Sequence, residues 1–137
     1  MSEQDLPEKR FADILDSIGA FAPAFGFKKQ IGYLDENRLD DNDRAIAILA
    51  KSENVGNSDH FQDINITLVI LSKKTISDGT DTRIIARQIQ QQLINTTSFG
   101  TTFGIINQGM TGPTDMDSGR QAVILSFQMM SSYCNDL

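Results

Sequence analysis

The stretch Asp63-Ile64-Asn65-Ile66-Thr67-Leu68-Val69-Ile70 alternates apolar and polar residues. Ile64, Ile66, Leu68 and Ile70 share one side of an extended chain, and Asp63, Asn65 and Thr67 share the other. That period of two predicts a strand from Phe61 to Lys73 in a sheet with one buried and one wetter face. Upstream, Arg44 to Lys51 reads as a second strand. The turn-rich Ser52 to Asp59, with Gly56-Asn57 near its middle, joins the two most simply as a hairpin.

Further out the period changes. Phe11, Ile14, Leu15, Ile18 and Ala22 recur at helical spacing, which predicts a helix from Pro7 to Ala22. Pro7 suits the first helical turn, and Pro23 with Gly26 would stop the helix. Phe25 and Phe27 then suggest a short extended segment. Downstream, Ser77 to Asp81 announces a helix over Thr82 to Asn95, with Ile85, Ile89 and Leu93 one turn apart and Ala86 beside them. Phe103 to Met110 predicts a further strand. Gly109, Gly112, Pro113 and Gly119 then bracket a loop that holds Asp115 and Asp117. Gln121 to Tyr133 predicts the last strand, with Val123, Leu125, Phe127, Met129 and Tyr133 to one side. The order α, β, β, β, α, β, β defines an α+β class: two helices packed on one face of a mostly antiparallel sheet of about four to five strands.

Composition sets the outer bounds. The 137 residues, 1–137, suit a single domain able to bury a core without disulfides or metal. No apolar run approaches the roughly 20 residues that span a bilayer, and Met1 to Arg10 is acidic where a leader would be basic and then greasy, so neither a membrane span nor a secretory signal is expected. The single Cys134 has no partner for a bridge, which fits a reducing compartment. A net charge of −6 and a pI near 4.6 argue against a grip on nucleic-acid phosphates, while leaving a surface that a polyanion can pass.

Few residues bear catalytic chemistry. His60 and Cys134 are single copies outside any nucleophile–base motif, and together they are too few for a structural zinc site. Gly100-Thr101-Thr102-Phe103-Gly104 lacks the Lys-Ser/Thr ending of a phosphate cradle and reads as a turn. The pairs Lys28-Lys29 and Lys73-Lys74 are too small for a nucleic-acid footprint. Asp35, Glu36, Asp40, Asp41 and Asp43 form an acidic run that fails the spacing of a helix–loop–helix calcium site and reads as a solvated loop. It is the candidate assembly or lumen loop. Met110, Met116, Asp117 and Met130, in or near the last two strands, are the candidate interface, although methionine also fills cores. No catalytic, cofactor-binding or metal residue is assigned and no cofactor is expected. An open-edged sheet needs a cover or a partner, which suits an assembly protein.

The order of elements resembles the tail terminator family of long-tailed bacteriophages, whose members are often labelled minor tail or minor capsid proteins. The likeness covers the opening helix, the strand pair ending in Asp63 to Ile70, the Asp81 to Asn95 helix and a closing hairpin. In that hairpin Ile105 to Gly109, Gly112-Pro113, Asp117 to Arg120 and Val123 to Gln128 resemble the family's strand, Gly/Pro loop and hydrophobic last strand. The chain departs from the family at Asp43-Arg44-Ala45, where relatives often carry a proline, and in its long acidic loop. The resemblance implies a non-enzymatic virion protein of the tail and neck, assembled in the host cytoplasm. It further implies a homo-oligomer, typically a hexameric ring, that caps the tail tube protein, stops its polymerisation and offers a docking surface to the head connector or stopper. Genomic DNA would pass its lumen without specific binding. The alternatives are another neck ring, such as the connector stopper or a head-completion protein, and a cytosolic ligand-binding regulatory α+β module.

Overall fold

The structure is a computed structural model and describes residues 6–55, 61–75, 78–94 and 102–132. His60, Ser77, Asn95, Tyr133, Cys134 and the residues Gly56-Asn57 and Gly100-Thr101, where the sequence predicts turns, lie outside the described residues. The elements are α1 (Pro7–Ser17), β1 (Phe27–Ile31), β2 (Arg44–Val55), β3 (Phe61–Leu71), α2 (Asp78–Ile94), β4 (Thr102–Asp115) and β5 (Gln121–Ser132). They build one five-stranded sheet in the order β1-β2-β3-β5-β4. Every neighbouring pair is antiparallel except β1 with β2. The α+β class and the pairing of β2 with β3 are as the sequence predicts.

Both helices lie on one face. Phe11, Ile14 and Leu15 of α1 and Ala86, Ile89 and Leu93 of α2 bury themselves against Ile46, Ile48, Ile64, Ile66, Leu68, Ile70, Val123, Leu125, Phe127 and Met129. The Phe11 and Phe127 rings meet at 5.7 Å between centroids, tilted by 36°, a geometry that aromatic quadrupoles favour. The strand alternation was legible because a face covered by helices must be apolar at every second position.

Four boundaries differ from the sequence expectation by more than two residues, and the first is β2, which runs on to Val55 through residues that composition puts in a turn from Ser52. α1 ends at Ser17, well before Pro23. Gly19 takes a positive φ of 82°, its N–H donates to the Asp16 carbonyl at 3.1 Å, and the Ala20 N–H donates to the Leu15 carbonyl at 3.0 Å. This left-handed cap satisfies the last carbonyls and turns the chain, so the later breakers are not needed. α2 begins at Asp78, one turn early, because the Asp78 carboxylate anchors the first turn. β4 runs on through Gly109, Gly112 and Pro113, where the sequence predicts a loop. Gly109 and Gly112 have φ of 129° and 109°, and register shifts fall beside them, between Asn107 and Gly109 and between Thr111 and Thr114. A strand with such bulges bends without ending. Only Met116 to Arg120 forms the turn into β5.

The parallel pairing of β1 with β2 has the largest consequence. Parallel neighbours need a crossover connection, and the helices already occupy one face, so Gly32 to Asp43 crosses the other. There Ala45, Ala47, Val69, Leu71 and Ala122 form a second apolar cluster, packed upon by Leu39, Leu49 and Met116. The face expected to be wet is therefore closed at one end by the acidic segment. No helix among the described residues is long and apolar enough to cross a membrane.

Candidate assembly surface

The acidic segment is an ordered strap where composition predicts a solvated loop. At its start the Gln30 side chain, 2% exposed, donates to the Asp35 carbonyl at 2.8 Å and accepts from the Asp35 N–H at 3.0 Å. The Asp35 carboxylate accepts from the Asn37 N–H at 3.0 Å and opens a single 3-10 turn, Glu36–Arg38. Arg38 reaches back to Tyr33, its guanidinium 4.9 Å from the ring centroid. Asp43 closes the strap. Its carboxylate accepts from the Asp40 N–H at 2.8 Å and lies 3.0 Å from the Lys28 ammonium. The Asp40 N–H first, and the Lys28 ammonium second, hold the Asp43 carboxyl below the ordinary carboxylate range.

The residue that fixes the strap is Arg120, fully buried. Its Nη1 donates to the carbonyls of Asp43 at 2.6 Å and Ser72 at 2.9 Å, and its Nη2 to the carbonyl of Asp40 at 2.7 Å. Its Nε has no hydrogen-bond partner and lies 3.6 Å from Glu36 Oε1. Glu36 Oε1 in turn accepts from Ser118 Oγ at 2.6 Å. One guanidinium thus ties the strap, the end of β3 and the β4–β5 turn together. Sequence reasoning missed this role, because nothing local links Arg120 to carbonyls some 80 positions away.

A second, largely covered cation sits nearby. Arg44, at the start of β2, pairs with Asp78 at the start of α2 through Nε–Oδ2 at 3.0 Å and a second contact from Nη2 to Oδ1. Asp78 also accepts from the Lys73 N–H at 2.8 Å and from Thr82 Oγ1 at 3.2 Å. Burial pushes the Asp78 carboxyl up, but the Arg44 guanidinium, the Lys73 N–H and the Thr82 hydroxyl together outweigh it and leave it below the ordinary range. The bond to Asp78 raises Arg44 correspondingly. Both partners stay ionised, which is what a largely covered bidentate pair requires.

The structure brings Asp35, Glu36, Asp40, Asp41 and Asp43 to one end of the second face. Asp40 and Asp41 are exposed there, Asp41 beside Lys74 at 3.2 Å. Asp117 is exposed in the adjoining turn, and Met116 packs on the second cluster under the strap. Met110 packs instead against the helix-side core, so Met110 and Met116 do not share a surface. Met130 lies in β5 opposite Asp63, and its side chain is outside those described. Among the described residues no group of His, Cys, Asp and Glu is placed to hold a metal ion.

On the helix face a groove of about 370 Å³ opens between the end of α1 and α2. Its apolar floor includes Ile18, Phe25, Ile85 and Ile89, and Gln88, Gln91 and Gln92 line it as well. The sheet edges are poor templates for strand addition: β1 has only five residues, and β4 is broken by three register shifts. The chain matches no protein-family model and no curated protein.

Proposed function

We propose that the chain is a structural virion protein, the tail terminator that caps the tail tube, stops its polymerisation and presents a docking surface to the head connector. One observation carries this reading: a surface loop of five acids held in a single shape by a fully buried arginine. Burying a cation is costly, and the interior it closes is a small cluster of mostly alanines. Such an investment fits a loop whose shape is used outside the molecule. Support also comes from the architecture, since the order αβββαββ with both helices on one face is the order on which the likeness to the terminator family rests.

In this reading copies form a ring, typically of six, on the last ring of the tube. The ring has a heterologous interface, which closes when its rotation closes. The exposed acids let DNA pass without adhesion. The test is electron microscopy of particles assembled without this protein. Overlong tubes and tailless heads are expected; tails of normal length joined to heads would remove the reading.

A further inference from the structure

We infer that the acidic strap of one copy docks on the outer face of α2 of a second copy. This deepens the ring reading and rests on it only in taking the partner to be the same chain.

Unsatisfied charge and exposed apolar surface lie side by side on α2. On α2, Arg83 and Arg87 are exposed one turn apart and make no ion pair with any described residue. Between them Ile84 is 53% exposed, and Gln88 leads into the groove beside it. A solvent-facing isoleucine flanked by two unpaired arginines is an unusual surface on an acidic protein. The complementary surface is on the same chain. Tyr33 and Leu34, 39% and 40% exposed, stand at the start of the strap whose far end presents Asp40 and Asp41. Leu34 supplies the apolar contact beside Tyr33, whose ring also carries Arg38. The exposed Asp40 and the Asp41 carboxylate, shared with the surface Lys74, face the guanidiniums, and the groove's 370 Å³ accommodates a side chain the size of Leu34.

Placement agrees. α2 packs on one face of the sheet and the strap, through Leu39, on the other, so a contact between the two surfaces joins different copies. Two different patches that meet between copies make a head-to-tail contact, the kind that closes into rings. The blunted sheet edges leave the faces as the better route.

The test uses the full chain in sedimentation velocity over a concentration series. One variant carries Asp40→Lys with Asp41→Lys, the other Arg83→Glu with Arg87→Glu. All four positions are exposed, and unchanged melting temperatures verify folding. Should the strap variant melt early, Ile84→Asp, on the solvent face of α2, replaces it as the second variant for the loss of association. Wild type is expected to self-associate, and each variant alone to do so about tenfold more weakly or worse, because like charges then oppose. An equimolar mixture of the two charge-reversed variants is expected to associate again, since each then meets opposite charge on the other. Variants that associate as wild type does, a mixture that stays monomeric, or a wild type that never associates would each overturn the interface. The terminator reading is judged separately by tube length. Self-association through these surfaces with normal tails in particles lacking the protein would sink that reading and keep this one.

Discussion

Arg120 Nη2 donates to the backbone carbonyl of Asp40 at 2.7 Å, so the guanidinium grips the strap by its peptide groups and leaves the Asp40 carboxylate outside the bond, where it is exposed. The strap's other carboxylates meet different partners: Asp35 the Asn37 N–H, Glu36 the Ser118 hydroxyl, Asp43 the Lys28 ammonium and Asp41 the Lys74 ammonium.

Replacing Arg120 by methionine keeps the volume but leaves the carbonyls of Asp40, Asp43 and Ser72 without that donor. A loss of about 3 kcal/mol in unfolding free energy is expected, read as a lower urea midpoint. Limited proteolysis should cut between Tyr33 and Asp43 in the variant and spare the wild type. Equal midpoints and equal resistance would mean that Gln30 and Lys74 hold the strap by themselves.

The Arg44–Asp78 pair predicts the acid limb of stability. The Asp78 carboxyl lies below its ordinary value in the folded chain, against about 4 when unfolded. Its contribution is therefore complete above that unfolded value and is lost as pH falls through the folded one. Asp78→Asn should cost about 2–3 kcal/mol at pH 7, since it leaves the largely covered Arg44 without its counter-charge. Its urea midpoint should also fall less than that of wild type between pH 5 and about pH 3. Parallel midpoint curves would show that the pair is not what titrates.

Leu125 and Phe127 are fully buried on the helix face. Leu125→Asp or Phe127→Asp places a carboxylate among apolar side chains, and an insoluble product is expected. Phe127→Ala, which removes the ring packed on Phe11, should fold with a loss of about 3–5 kcal/mol. A soluble, cooperatively melting aspartate variant at either position would put these residues on the other face.

Two glycines separate space from backbone strain. A Cβ at Gly112 would lie 2.5 Å from the Ala122 carbonyl oxygen, whereas at Gly19 it would meet nothing within 4 Å. Both have positive φ. Gly19→Ala should therefore cost about 1 kcal/mol from conformation alone, and Gly112→Ala clearly more, since β5 backbone must move. Thermal melts of the two variants side by side give the comparison.

The core face was readable because its signals are local: Ile64 to Ile70 alternates, and Phe11 to Leu15 and Ile85 to Leu93 follow the helical period. The candidate site was only half readable. Five acids between Asp35 and Asp43 marked a loop, but its path depends on β1 pairing parallel to β2, and no periodicity in Phe27 to Ile31 tells parallel from antiparallel. Arg120, Gln30 and the Arg44–Asp78 pair escaped for the same reason, since their partners are defined by topology. Gly109, Gly112 and Pro113 misled because residues that usually end a strand here bend one.

That bent edge has a bearing on how the molecule behaves in a crowd. With its hydrogen-bonding rhythm interrupted three times along β4, the rim offers no regular ladder on which another chain could crystallise its own backbone. A five-stranded sheet that ends in such a rim is guarded against stacking edge to edge on copies of itself.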